Sequence, residues 1–69
     1  MTRHAPIMRA FRDAVKQWDA ENPAWKIWAS ERNARRALFA AMWFIENVPD
    51  DHPRRSDLFF KIREMARAA

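Results

Sequence analysis

The sequence predicts an all-α protein, and three observations carry that expectation. The 69 residues hold no glycine, which argues against tight primed hairpins and against any glycine-rich phosphate cradle. Thirteen alanines and many long unbranched side chains favour helix throughout. Apolar residues recur at spacings of three and four, and no run alternates with period two. A chain this short forms one domain, residues 1–69, and buries only about 60% of the surface that its unfolded form exposes. Three helices are expected at about 6–20, 23–47 and 54–67, with a long central helix and a two-fold partner.

Pro6 suits the first turn of the first helix. Ile7, Met8, Phe11, Ala14, Val15 and Trp18 then share one stripe, with Arg9, Arg12, Asp13 and Lys16 opposite. Asn22-Pro23 reads as the start of the second helix, because Asn is a good N-cap and Pro fits the position after it. That helix is expected to run to Asn47, since Pro49 disfavours helical backbone in the residue before it. The 25 residues would span about 40 Å. The polar segment PDDHPRRSD, with two prolines, reads as a loop. Ser56 or His52 is placed to cap the third helix, whose stripe comprises Leu58, Phe59, Ile62, Met65 and Ala66. Asp57 near its start and Arg67 near its end complement the helix dipole.

The central helix poses the main question, because Ala37 to Ile45 are nine consecutive apolar residues. On a helical wheel its apolar residues resolve into three faces. One carries Ile27, Ala34, Leu38, Ala41, Met42 and Ile45. A second carries Trp25, Trp28, Phe39 and Trp43, with Arg32 in their midst and Arg36 at the edge. The third comprises Ala37, Ala40, Phe44 and Val48. The outer helices own one stripe each, so one face is left over. The third face is expected to be the spare one, since Ala37, Ala40 and Ala41 would let two copies approach closely across a two-fold axis. Phe60 falls opposite its own helix's stripe and joins the expected surface. The expected protein interface is therefore Ala37, Ala40, Phe44, Val48, Phe60, Trp25, Trp28, Arg32 and Arg36.

Lysine and arginine outnumber aspartate and glutamate by 13 to 9, a net charge of +4. Ten of the thirteen are arginine. A rival reading follows, in which Arg32, Arg35, Arg36, Arg54 and Arg55 contact DNA or RNA beside stacking tryptophans. Carboxylates near these arginines weaken it: Glu31 sits four residues before Arg35, and Asp50 and Asp51 precede Arg54 and Arg55. Catalysis is not expected. With no cysteine, and with His4 and His52 lacking neighbours at ligand spacing, no metal site is read. Ser30 and Ser56 lack a base nearby in sequence, and no cofactor is implied.

The longest apolar run falls short of the ~20 residues that cross a bilayer, and no secretory signal is expected at the start of the sequence. The first helix only partly fits a membrane-surface role, because Asp13 and Asp19 interrupt its basic face. The sequence therefore predicts a non-catalytic module of the cytoplasm that binds a larger protein as a regulator, inhibitor or assembly factor, works as a homodimer and does not engage membrane.

Overall fold

The computed structural model describes residues 5–69, so His4 lies outside the described residues. They form α1 (Ala5–Glu21), α2 (Ala29–Asn47) and α3 (Arg55–Arg67), with no strand among the described residues. The described chain fits within 39 × 20 × 16 Å. Helix α2 packs against α1 on one side and α3 on the other.

Helix α1 follows the expected stripe. Phe11 and Val15 are buried, Ile7, Met8, Ala14 and Trp18 are half-buried, and Arg9, Arg12, Asp13 and Lys16 face water. Its last turn ends on a side-chain bond, in which the Asn22 amide donates to the Trp18 carbonyl at 2.9 Å. That bond satisfies one of the carbonyls that every helix C-terminus leaves without a partner.

Helix α2 begins six residues later than expected, at Ala29 rather than Pro23. Asn22 spends its side chain closing α1 and does not cap a new helix. After it the chain makes a single turn, in which the Lys26 N–H donates to the Pro23 carbonyl at 3.0 Å. Trp28 then takes an extended conformation, with ψ at 141°, before the helix starts. At 19 residues, α2 spans about 28 Å instead of 40.

Helix α3 starts one residue after its expected position. The Arg54 N–H donates to His52 Nδ1 at 3.0 Å, so His52 orders the approach to the helix, while Arg54 itself occupies the N-cap position without a side-chain cap. Asp57 lies in the first turn and Arg67 in the last, as the dipole favours. Leu58, Ile62 and Met65 face inward, whereas Phe59 is more than half exposed and Ala66 lies in solvent.

The core corrects the expectation about the spare face. Ala37, Ala40, Phe44 and Val48 are all buried within the single chain. Ala40, Phe44 and Val48 cluster with Phe11 and Val15 of α1 and Leu58 of α3. The small side chains do permit close approach, but of helices from the same chain. The Trp/Phe face meets α1: Trp43 packs edge-on to Phe11 with centroids 5.6 Å apart, and Phe39 lies 6.3 Å from Trp18. The face left over is the remaining one, where Leu38, Met42 and Ile45 are 61%, 52% and 75% exposed.

Leu58 has no exposed surface. Leu58→Ala is therefore expected to cost about 2–5 kcal/mol in urea unfolding, whereas Leu38→Ala should stay within about 0.5 kcal/mol of the parent. Equal costs would mean that Leu58 is not the centre of the core or that the Leu38 face of α2 is not open to solvent as described.

Candidate functional site

Among the described residues, the most exposed large apolar side chains sit on the connection between α1 and α2. Trp25 is 81% exposed and Trp28 is 83% exposed, with Ile27 half-buried between them. Both ends of this connection are fastened. Asp19, in the last turn of α1, receives two guanidinium groups from α2. Arg36 grips it with both prongs, Nε to Oδ1 at 2.7 Å and Nη2 to Oδ2 at 3.1 Å. Arg32 Nη2 reaches Oδ1 at 3.2 Å. Arg32 Nε also donates to the Asn22 carbonyl at 2.5 Å, which ties the first residue after α1 directly to α2.

The geometry explains why two arginines tolerate positions four apart on one helix. Like charges at that spacing repel, but a shared carboxylate between them reverses the sign. The paired forks are the strong form of such a bond, and all three side chains are no more than about one-third exposed. Arg32 also lies over the Trp18 ring at 5.6 Å. Its aromatic partner is therefore Trp18 of α1, not Trp25 or Trp28. Those two indoles project outward, and Lys26 Nζ lies 5.3 Å from the centre of the Trp25 ring. The tip is shaped into a shallow concavity of about 500 Å³ by residues including Trp25, Ile27, Trp28 and Glu31.

A second staple stands at the far end of α2. The Arg55 guanidinium lies 4.5 Å from the centre of the Phe44 ring. Its Nη1 donates to the Val48 carbonyl at 2.9 Å and to the Pro49 carbonyl at 3.4 Å, and lies 3.5 Å from Asp50. Beside it, Phe44, Ser56, Phe59 and Phe60 line another shallow concavity. Phe60 is 58% exposed, and its ring lies 6.4 Å from that of Phe59.

The expected site residues therefore divide. Trp25, Trp28 and Phe60 are on the surface, while Ala37, Ala40, Phe44 and Val48 are core. Arg32 and Arg36 are joint residues rather than part of an open face. Each of the five arginines considered for nucleic acid has a carboxylate of its own chain. Arg32 and Arg36 share Asp19, Arg35 pairs with Glu31, Arg54 with Asp57 at 2.6 Å, and Arg55 with Asp50. The roles of Asp19 and Arg55 were missed from sequence. A signal for Asp19 was present: two arginines four apart on one helix repel and favour an acidic partner, and Asp19 lies in the last turn of α1.

Among the described residues, no group of three His, Cys, Asp or Glu side chains is placed to hold a metal ion, and no buried polar side-chain atom lacks a hydrogen bond. Among the described residues, no helix is long and apolar enough to cross a membrane. Compared with models of known protein families, with curated proteins and with solved structures, the chain matches none.

Asp19→Asn is expected to cost about 1–2 kcal/mol in urea unfolding, after allowance for partial solvent screening. Arg35→Gln, which breaks an exposed pair within one helix, should cost at most about 0.5 kcal/mol. If the two costs are alike, Asp19 is not the fastening described.

Proposed function

We propose that this chain is a non-catalytic interaction module that acts as a regulator, inhibitor or assembly factor by occupying a surface of a larger protein in the cytoplasm. The observation that supports this reading is the pair Trp25 and Trp28, each more than 80% exposed on a connection fastened at both ends. Tryptophan supplies large contact area at low cost in side-chain entropy, and it dominates the energy of many protein interfaces. A fastened turn adds to this, because little ordering remains to be done on binding. Phe59 and Phe60, both more than half exposed, extend the apolar surface at the other end of the molecule. A nucleic-acid role draws less support, since its candidate arginines are already matched by carboxylates within the chain.

The same reading includes a homodimer, now placed on the exposed stripe of α2 rather than on its buried face. Leu38, Met42 and Ile45 follow one another at spacings of four and three, with exposed Ala34 on the same line. Three large side chains per copy offer less than the roughly 1,200 Å² that a stable specific pair buries. Self-association through this stripe is accordingly weak and concentration-dependent.

Two experiments test these proposals. Quantitative affinity capture in the native host should recover a partner in near-stoichiometric amount with the parent protein, and recovery should fall at least about tenfold with Trp25→Ser/Trp28→Ser, while circular dichroism of the variant is unchanged. Undiminished recovery would remove the tryptophans from the interface. In sedimentation across a dilution series, association at the concentrated end should vanish in Ile45→Asp, and a parent protein that remains monomeric at high micromolar concentration would end the dimer reading.

A further inference from the structure

Between α1 and α3 lies a cleft of about 430 Å³. Arg9 and Arg12 of α1 line one wall, Lys61 of α3 and Arg54 at its foot line the other, and Met8, Phe11 and Val15 form the floor. No carboxylate belongs to this lining. Arg54 is engaged by Asp57. Arg9, Arg12 and Lys61 make no ion pair or hydrogen bond with the described residues. They differ in this from the arginines of α2 and of the loop before α3, each of which is matched by a carboxylate. Lys16, seven residues after Arg9, adds a further exposed cation on the same side of α1. Asp13 is the acidic group closest in sequence, and it stands outside the lining.

The shape and charge of the cleft select among anionic partners. A flat bilayer surface cannot enter a concavity whose floor includes Phe11 and Val15, both more than nine-tenths buried. A nucleic-acid backbone is recognised along an extended basic track, whereas these cations converge on one short cleft. Carboxylates three or four residues apart on a helix lie about 5–6 Å from one another, and the same spacing separates Arg9 from Arg12 on α1. Met8, half-buried at the floor, offers a soft apolar contact between the charges. We propose that the α1–α3 cleft is a docking site for an acidic amphipathic helix of a partner protein, whose carboxylates meet Arg9, Arg12 and Lys61 while an apolar side chain between them rests on Met8. This site is separate from the Trp25–Trp28 turn, and either stands if the other fails.

The test uses fluorescence anisotropy with a labelled, helix-forming peptide that carries Glu at three- and four-residue spacings beside Leu, and a control peptide with Lys in place of every Glu. The acidic peptide should bind the full chain at about 50 mM salt and weaken several-fold by about 300 mM, as screening shortens the reach of the charges. The basic control should not bind. Arg12→Glu/Lys61→Glu should weaken the acidic peptide at least about tenfold, and because both side chains are exposed its circular dichroism should match the parent. Arg63→Glu, an exposed cation outside the cleft, should change binding by less than about twofold. Absence of binding at low salt, an equal effect of Arg63→Glu, or tighter binding of a random-sequence DNA duplex or of phosphatidylglycerol vesicles under the same conditions would overturn the proposal.

Discussion

Among the described residues, the ion-paired joint between α1 and α2 centres on Asp19. A single carboxylate accepts three bonds from two arginines that would otherwise repel, and one of those arginines also holds the Asn22 carbonyl and covers Trp18. The charge balance of the joint requires all three residues together, since removal of the carboxylate would leave two adjacent cations on a half-buried face. Because the joint fixes where α1 ends and α2 passes, it also fixes which residues remain between them. Trp25 and Trp28 fall in that interval and are carried outward.

The opposite end of α2 is held by related chemistry. Arg55 takes up carbonyls just past the helix C-terminus and lies against Phe44, where positive charge also suits the dipole. Between these two staples lies a small core that runs through Ala40, Phe44 and Leu58. Hydrophobic burial is limited in a chain of this size, and directional bonds at both ends of α2 add to what the core provides. Arginine suits that task because its planar fork binds two acceptors while its face covers an aromatic ring.

Much of the architecture was legible in the residues. Three helices follow from the absence of glycine, the placing of the prolines and the stripes of α1 and α3, and Pro49 marks the end of α2 near Asn47. The start of α2 was not legible, because Asn22 serves equally well as an N-cap or as a closing side chain, and only the tertiary bonds of Arg32 and Asp19 decide between the two. Counting apolar faces on α2 correctly left one uncovered, but the choice among them failed. Local pattern does not say which face the outer helices take. Ala37 and Ala40 read equally as a seam between two copies and as a seam within one chain. The candidate site was legible in part: Trp25, Trp28 and Phe60 stand on the surface, whereas Phe44 and Val48 lie in the core.

The division of labour among charged and aromatic groups shapes the functional reading. Most of the described arginines pair with carboxylates of the chain, so the described side chains left available to a partner include the two outward tryptophans, Phe59 and Phe60, the apolar stripe of α2 and the cations of the α1–α3 cleft. Nuclear magnetic resonance relaxation of the turn tests the central claim most directly, namely that the Asp19 joint presents Trp25 and Trp28 on a rigid mount. The account predicts backbone order parameters for residues 24–28 of about 0.8 or higher, level with the helices, together with rapid water exchange at both indole N–H groups. Order parameters below about 0.6 there, or protected indoles, would contradict it.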